Sequence, residues 1–163
     1  MNRKDFLATL PKKRVASGAL FFDKNNAILM VKPTYKTTWE IVGGVVESNE
    51  SPMNACIRET KEEIGLSIST LTLLCLEYQF TEYDDSFMFI FNGGVLSPET
   101  IAQLHIDGQE ISEYRFIPLV EIINFASDRL ANRIQMAIKA LENNNIVYFE
   151  SYNSEKTNYF QLH

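Results

Sequence analysis

Residues 44–66 read GVVESNESPMNACIRETKEEIGL, and this stretch decides the fold. Ser51 followed by Pro52 marks a helix start: the hydroxyl can accept from unpaired amides of the first turn, and proline suits a position whose amide has no partner. Gly65 marks the stop, because glycine takes a left-handed backbone at no steric cost. Between them Glu59, Glu62 and Glu63 fall within two turns. At about 100° per residue they span roughly a quarter of the circumference, and Met53, Ile57, Thr60 and Ile64 cluster on the opposite side. One face is predicted to be acid and the other core. Like charges at i, i+3 and i+4 repel, so something positive is expected over the acid face. A divalent cation suits it, since hard cations such as Mg²⁺ prefer carboxylate oxygens and keep several waters. A solvated acidic surface softened by Arg58 and Lys61 stays open on these residues alone.

Working outward, residues 39–42 read as a short strand entering Gly43-Gly44. Residues 15–22 and 27–31 flank the polar cluster Asp23-Lys24-Asn25-Asn26, a predicted β-hairpin. Downstream, residues 71–80 and 87–91 form a second predicted hairpin around Glu82-Tyr83-Asp84-Asp85. After a Ser97-Pro98 break, residues 114–117 are an inner strand halted by Pro118. A short helix over 119–125 and a longer one capped by Asp128 follow, the latter with Leu130, Ile134, Ala137, Ile138 and Leu141 at helical spacing. A strand at 146–149 is expected in the tail.

The 163 residues suit one domain, with 1–13 as an N-terminal extension and 143–163 as a C-terminal tail; 45% apolar and 22% charged residues exclude a largely disordered chain. A net charge of -6 argues against a nucleic-acid polymer as partner. The charge is uneven, +5 over residues 1–40 (8 basic, 3 acidic) and -11 over the rest (7 and 18). Two cysteines, Cys56 and Cys75, are too few for a disulfide framework and read as small core residues. No apolar stretch is long enough for a membrane span and the start lacks a signal-type region, so a cytoplasmic protein is expected. A homodimer is left open.

Gly44, Glu50, Arg58, Glu59, Glu62, Glu63, Gly65 and Leu66 fall at the spacing Gly-x5-Glu-x7-Arg-Glu-U-x-Glu-Glu-x-Gly-U, with U a bulky aliphatic residue. The stretch thereby resembles the Nudix box of MutT-like hydrolases, with Thr60 at the first U position. Trp39-Glu40-Ile41-Val42-Gly43-Gly44 is similar to the strand that enters the box, with Val42 where a proline is common, and the first 40 residues resemble a bacterial subgroup. The resemblance implies an α/β protein of the Nudix fold, an α/β/α sandwich with a mixed β-sheet. It also implies a Mg²⁺-dependent pyrophosphohydrolase, with Mn²⁺ as the other metal. The substrate would be a small molecule, a nucleoside diphosphate linked to a nucleotide, sugar or phosphate, cleaved by metal-activated water attacking phosphorus.

By the same resemblance Glu59, Glu62 and Glu63 would hold the metal with the backbone carbonyl of Gly43, while Arg58 and Glu50 form a supporting pair. For the general base Asp107, Glu110 and Glu113 are the loop candidates. Glu110 is favoured because its distance of six residues from Phe116 resembles that from the loop glutamate to the strand aromatic in some relatives, and Glu47 is a further candidate within the box. Trp39, Phe80, Tyr83, Phe87 and Phe89 could stack on a base, but aromatics at strand spacing are more often core. Tyr83 lies near where a tyrosine marks dinucleoside-polyphosphate hydrolases, and the proline that marks many ADP-ribose hydrolases is absent. His105 reads equally as a loop residue or a substrate contact. Some of Arg14, Lys32 and Lys36 are expected to flank the pocket and draw in an anion. Two rivals remain: a non-catalytic Nudix-fold module that senses a nucleotide or binds a protein, and an isomerase on the same fold, which would want a catalytic cysteine such as Cys75.

Overall fold

The computed structural model describes residues 1–82, 84–106 and 108–152, and the backbone of 157–162. Tyr83 and Asp107, singled out above, lie outside the described residues. Helix α1 spans Arg3–Thr9, strands β1, β2 and β3 span Arg14–Phe22, Ile28–Pro33 and Glu40–Val45, and helix α2 spans Pro52–Ile64. Strands β4 and β5 cover Thr72–Gln79 and Ser86–Val95, followed by α3 (Pro98–Ile101) and β6 (Ile111–Ile117). A 3₁₀ helix over Leu119–Asn124, α4 (Asp128–Glu142), β7 (Ile146–Ser151) and β8 (Thr157–Leu162) complete the order.

The strands form one eight-stranded sheet in the order β6-β2-β3-β1-β5-β4-β7-β8. Pairs β1–β5 and β4–β7 are parallel and the other neighbours antiparallel, so the sheet is mixed as expected. Side chains alternate across it. On β1, Ala19 and Phe21 join Cys56 and Ile64 of α2 in one core layer; Leu20 and Phe22 join Leu130 and Ile134 of α4 in the other. Helix, sheet and helix therefore make the expected α/β/α sandwich.

Several elements depart from the sequence reading. The first hairpin exists only at Phe22↔Ile28, after which β1 takes β3 and β5 as neighbours. Its run from Ala16 to Phe22 is buried on both faces, which demands a central place in the sheet rather than an edge hairpin. Helix α1 occupies the expected extension, nucleated by Asn2 accepting from Asp5 N and leaving no residue buried. A short α3 follows the Ser97-Pro98 break, with Ser97 as cap. The residues after Pro118 form a 3₁₀ rather than an α-helix. Ser127, not Asp128, caps α4: its hydroxyl accepts from Leu130 N, and Asp128 is the first helical residue. The tail adds β8 beyond the single strand expected there.

Candidate metal and substrate site

Helix α2 begins and ends where its sequence dictates. Ser51 Oγ accepts from Asn54 N at 3.2 Å, and Gly65, at φ 69°, donates to Lys61 O. A Cβ on Gly65 would fall 2.1 Å from His105 Cε1, so the His105 ring packs on this cap.

The face of α2 differs from the expectation. Ala55, Cys56, Thr60 and Ile64 are buried, whereas Met53 is 37% exposed and Ile57 half-buried. The core face is thus turned by about 50°, at 100° per residue, toward the carboxylates. Backbone chemistry on β3 makes this tolerable. Gly43 N donates to Glu63 Oε2 at 2.8 Å, and a Cβ on Gly44 would fall 2.4 Å from Glu59 Oε1. Gly43 itself, at φ 145°, admits no side chain, since a Cβ would meet Ser17 O at 2.1 Å. Thr60 is satisfied where a larger aliphatic residue was expected, its hydroxyl donating to Cys56 O at 2.7 Å.

Arg58 organises the acids around it. Nε and Nη2 donate to the two oxygens of Glu50 at 3.0 and 3.1 Å, and Nη1 reaches Glu59 at 2.7 Å and Glu62 at 2.9 Å. Glu47 enters through its backbone, donating to Glu50 Oε2 at 3.1 Å. The Arg58 pair holds Glu50 below the usual carboxylate range. Burial acts the other way on the two inner acids. It pushes Glu63 up to about 8 despite the Gly43 amide, with Glu59, Glu110 and Glu40 adding repulsion, and it raises Glu59 despite Arg58.

Those repulsions place Glu110 in the electrostatic field of Glu59 and Glu63. Its loop is tied to the end of β2, Thr34 N donating to Glu110 O at 2.9 Å and Thr34 Oγ1 to Gln109 O. Glu113 instead pairs with Arg115 on the same strand.

Among the described residues no three metal-binding side chains converge into a ready-made cage: Arg58 holds Glu59 and Glu62, and Glu63 turns to Gly43. The residues nonetheless fit a divalent cation. Their donors are hard oxygens, and three carboxylates share one guanidinium while Glu63 has only the Gly43 amide. Ser17 Oγ, two residues before Ala19 and so on the α2 face of the sheet, is buried without a partner among the described residues.

A cleft of about 200 Å³ is lined by Glu63 together with Gly43, Gly44, Glu40, Lys36, Gly18, Ile90 and Arg133. Of the three candidate cations, Lys36 is the one that lines the cleft, its Nζ pairing with Glu40 at 3.0 Å, while Arg14 pairs with Asp84 and Lys32 lies over the Trp39 ring. Trp39, Phe80, Phe87 and Phe89 do not line the cleft but pack on other aromatics, in keeping with the structural role favoured for them. Trp39 meets Phe125 edge-on at 6.0 Å, Phe80 stacks on Tyr152 at 4.4 Å, Phe87 meets Tyr78 and Phe89 meets Phe91. Tyr35 and Arg133, which do line it, were not singled out by sequence. Neither carries a motif, and Arg133 sits among the apolar positions of an amphipathic helix. Cys56 and Cys75 are buried, and burial pushes each thiol up to about 12, which disfavours the thiolate that an isomerase would need at Cys75. Among the described residues no helix is long and apolar enough to cross a membrane.

The chain resembles known proteins in sequence and in fold. A family model described as NUDIX domain matches residues 12–138. The chain is 36% identical over 66 residues to an 8-oxo-dGTP diphosphatase of Proteus vulgaris, covering 39% of this chain and 59% of that one. It is 33% identical over 67 residues to an RNA pyrophosphohydrolase of Hydrogenovibrio crunogenus, covering 41% of each. These matches span less than two thirds of either relative. The MutT protein of Methanosarcina mazei Go1 superposes with a TM-score of 0.65 at 20% identity, over 83% of this chain and 99% of that one, a likeness of fold.

Proposed function

The chain belongs to the Nudix family, and from that premise we propose that it is a Mg²⁺-dependent pyrophosphohydrolase, with Mn²⁺ as a substitute. Its substrate is a small-molecule nucleoside diphosphate linked to another moiety. The observation that carries this reading is the pair Glu59 and Glu63, held against the Gly43-Gly44 backbone beside an open cleft and raised in pKa by burial. A structural surface helix has no reason to turn its acids inward at that electrostatic cost.

Nudix hydrolases generally use divalent metals. Glu59, Glu62, Glu63 and the carbonyl of Gly43 would hold the cation, which when bound polarises phosphoryl oxygens and acidifies water. Arg58 is a positioning residue, fixing the rotamers of Glu59 and Glu62 while Glu50 fixes Arg58. Glu110 is the favoured general base, able to take the proton of the attacking water from a loop anchored to β2; Glu47 is the second candidate. The cleft receives the remainder of the substrate. The curated names, diphosphatase and pyrophosphohydrolase, describe reactions of this class in the relatives.

The test is turnover on nucleoside triphosphates, ADP-ribose, nucleotide sugars and dinucleoside polyphosphates with Mg²⁺ or Mn²⁺, with products identified by mass. Cleavage of a phosphoanhydride in at least one of them, abolished by chelator, is expected. No cleavage across the panel would overturn the hydrolase reading in favour of a non-catalytic binding module.

A further inference from the structure

The Glu63 cleft has a wall built by α4. There Arg133, with its side chain 8% exposed, donates through Nε to Glu77, whose side chain is 1% exposed. Glu77 takes its other hydrogen bond from Ser151 Oγ on β7. Among the described residues neither Nη nitrogen of Arg133 has a hydrogen-bond partner, and neither is sealed from solvent as the orphaned Ser17 Oγ is. The little surface Arg133 keeps opens into the cleft it lines.

A guanidinium fixed by one buried carboxylate and presenting its end-on pair of nitrogens is a donor fork with nothing in it. Leaving such donors unpaired is costly, so a ligand group is the natural occupant. The neighbouring walls say which kind. Ile41, Met88, Ile90 and Leu130 are apolar, and Gly18 leaves a flat floor, a Cβ there falling 2.7 Å from Ile41 Cδ1. Glu77 already neutralises the arginine, which suits a neutral planar ring bearing two adjacent acceptors better than a phosphate.

We propose that Arg133, positioned by Glu77 and Ser151, is a specificity-determining residue that reads the paired O6 and N7 acceptors of a guanine-type base. The proposal rests on the hydrolase reading in taking the ligand as a nucleotide. Adenine offers a donor where guanine offers O6, and that donor would oppose the fork.

The experiment is equilibrium binding of nucleoside monophosphates to the metal-free protein by calorimetry. Because it reads no hydrolysis, its failure is separate from failure of the hydrolase reading. Wild-type protein is expected to bind GMP and IMP about tenfold or more tightly than AMP and 7-deaza-GMP, which lacks the N7 acceptor. The double variant Arg133→Met/Glu77→Gln, which removes both buried charges together, is expected to bind all four alike. The 7-deaza comparison needs no variant and holds even if that protein fails to fold. Equal wild-type affinities overturn the proposal. So does a preference that survives in the folded double variant, or inorganic phosphate displacing GMP from wild type but not from that variant.

Discussion

Two buried polar regions lie on opposite faces of one sheet, and they differ in charge balance. Under α4, Glu77 and Arg133 form a one-to-one ion pair, with Ser151 satisfying the second carboxylate oxygen. Against α2, Glu50, Glu59 and Glu62 share Arg58, with a Glu47 amide on Glu50, and Glu63 takes only the backbone amide of Gly43. The first region is balanced in charge and leaves only the neutral-acceptor chemistry of the Arg133 fork toward the cleft; the second carries surplus negative charge that favours a cation. Burial alone therefore does not say which ligand a region takes. The charge balance that folding leaves behind does.

The largest expected effect breaks the comparison at its unbalanced side. Glu63→Gln should lower Mg²⁺-dependent turnover by about 10²–10⁴-fold, the range typical of losing a reacting carboxylate, while the fold survives. It should also stabilise the metal-free protein. The folded pKa of Glu63, about 8, lies above its ordinary value of 4.5. The folded state therefore binds the extra proton between those values, and the metal-free protein loses stability as pH rises from 4.5 to 8. Thermal unfolding in chelator should show that loss in wild type and a flatter profile in the variant. Wild-type turnover in Glu63→Gln, or identical pH profiles, would remove Glu63 from the site.

The balanced region should behave in the opposite sense. Removing one partner leaves the other charged and buried, so Arg133→Met alone should cost about 3–5 kcal/mol in urea unfolding. The double variant Arg133→Met/Glu77→Gln should recover much of that loss. A strong coupling in this cycle, with no comparable coupling between Glu63 and Arg58, would sharpen the distinction.

Sequence exposed these two regions unequally. Glu59, Glu62 and Arg58 share one helix and Glu50 lies just before it, so the cluster around Arg58 was legible from local spacing. The helix rotation was missed, because it depends on the missing Cβ atoms of Gly43 and Gly44 on a different element. Arg133 and Glu77 are 56 residues apart and Ser151 lies 74 from Glu77. Nothing local relates them, and only the sheet order that lays β7 beside β4 under α4 brings them together. The same limit applied to the first hairpin, where the turn was correctly placed but the partner of β1 was decided by burial on both faces. It applied to Arg14 as well, whose charge meets Asp84 rather than the cleft.

The smallest expected effect tests whether Arg58 belongs to the catalytic region or merely to the helix. Arg58→Lys keeps the charge that offsets Glu50, Glu59 and Glu62, so the metal-free fold should be little changed. Lysine cannot reproduce the fork that takes both oxygens of Glu50 while a third nitrogen reaches Glu59 and Glu62. Loss of that orientation should weaken metal affinity, and turnover at limiting metal, by about 10–100-fold, the usual range for a residue supporting metal ligands. Raising Mg²⁺ should restore much of the rate, because the carboxylates themselves remain. Substrate KM at saturating metal should not move, since Arg58 does not line the cleft. A raised KM with unchanged metal affinity would instead make Arg58 a phosphate contact. The charge imbalance would then be relieved by substrate as well as by metal.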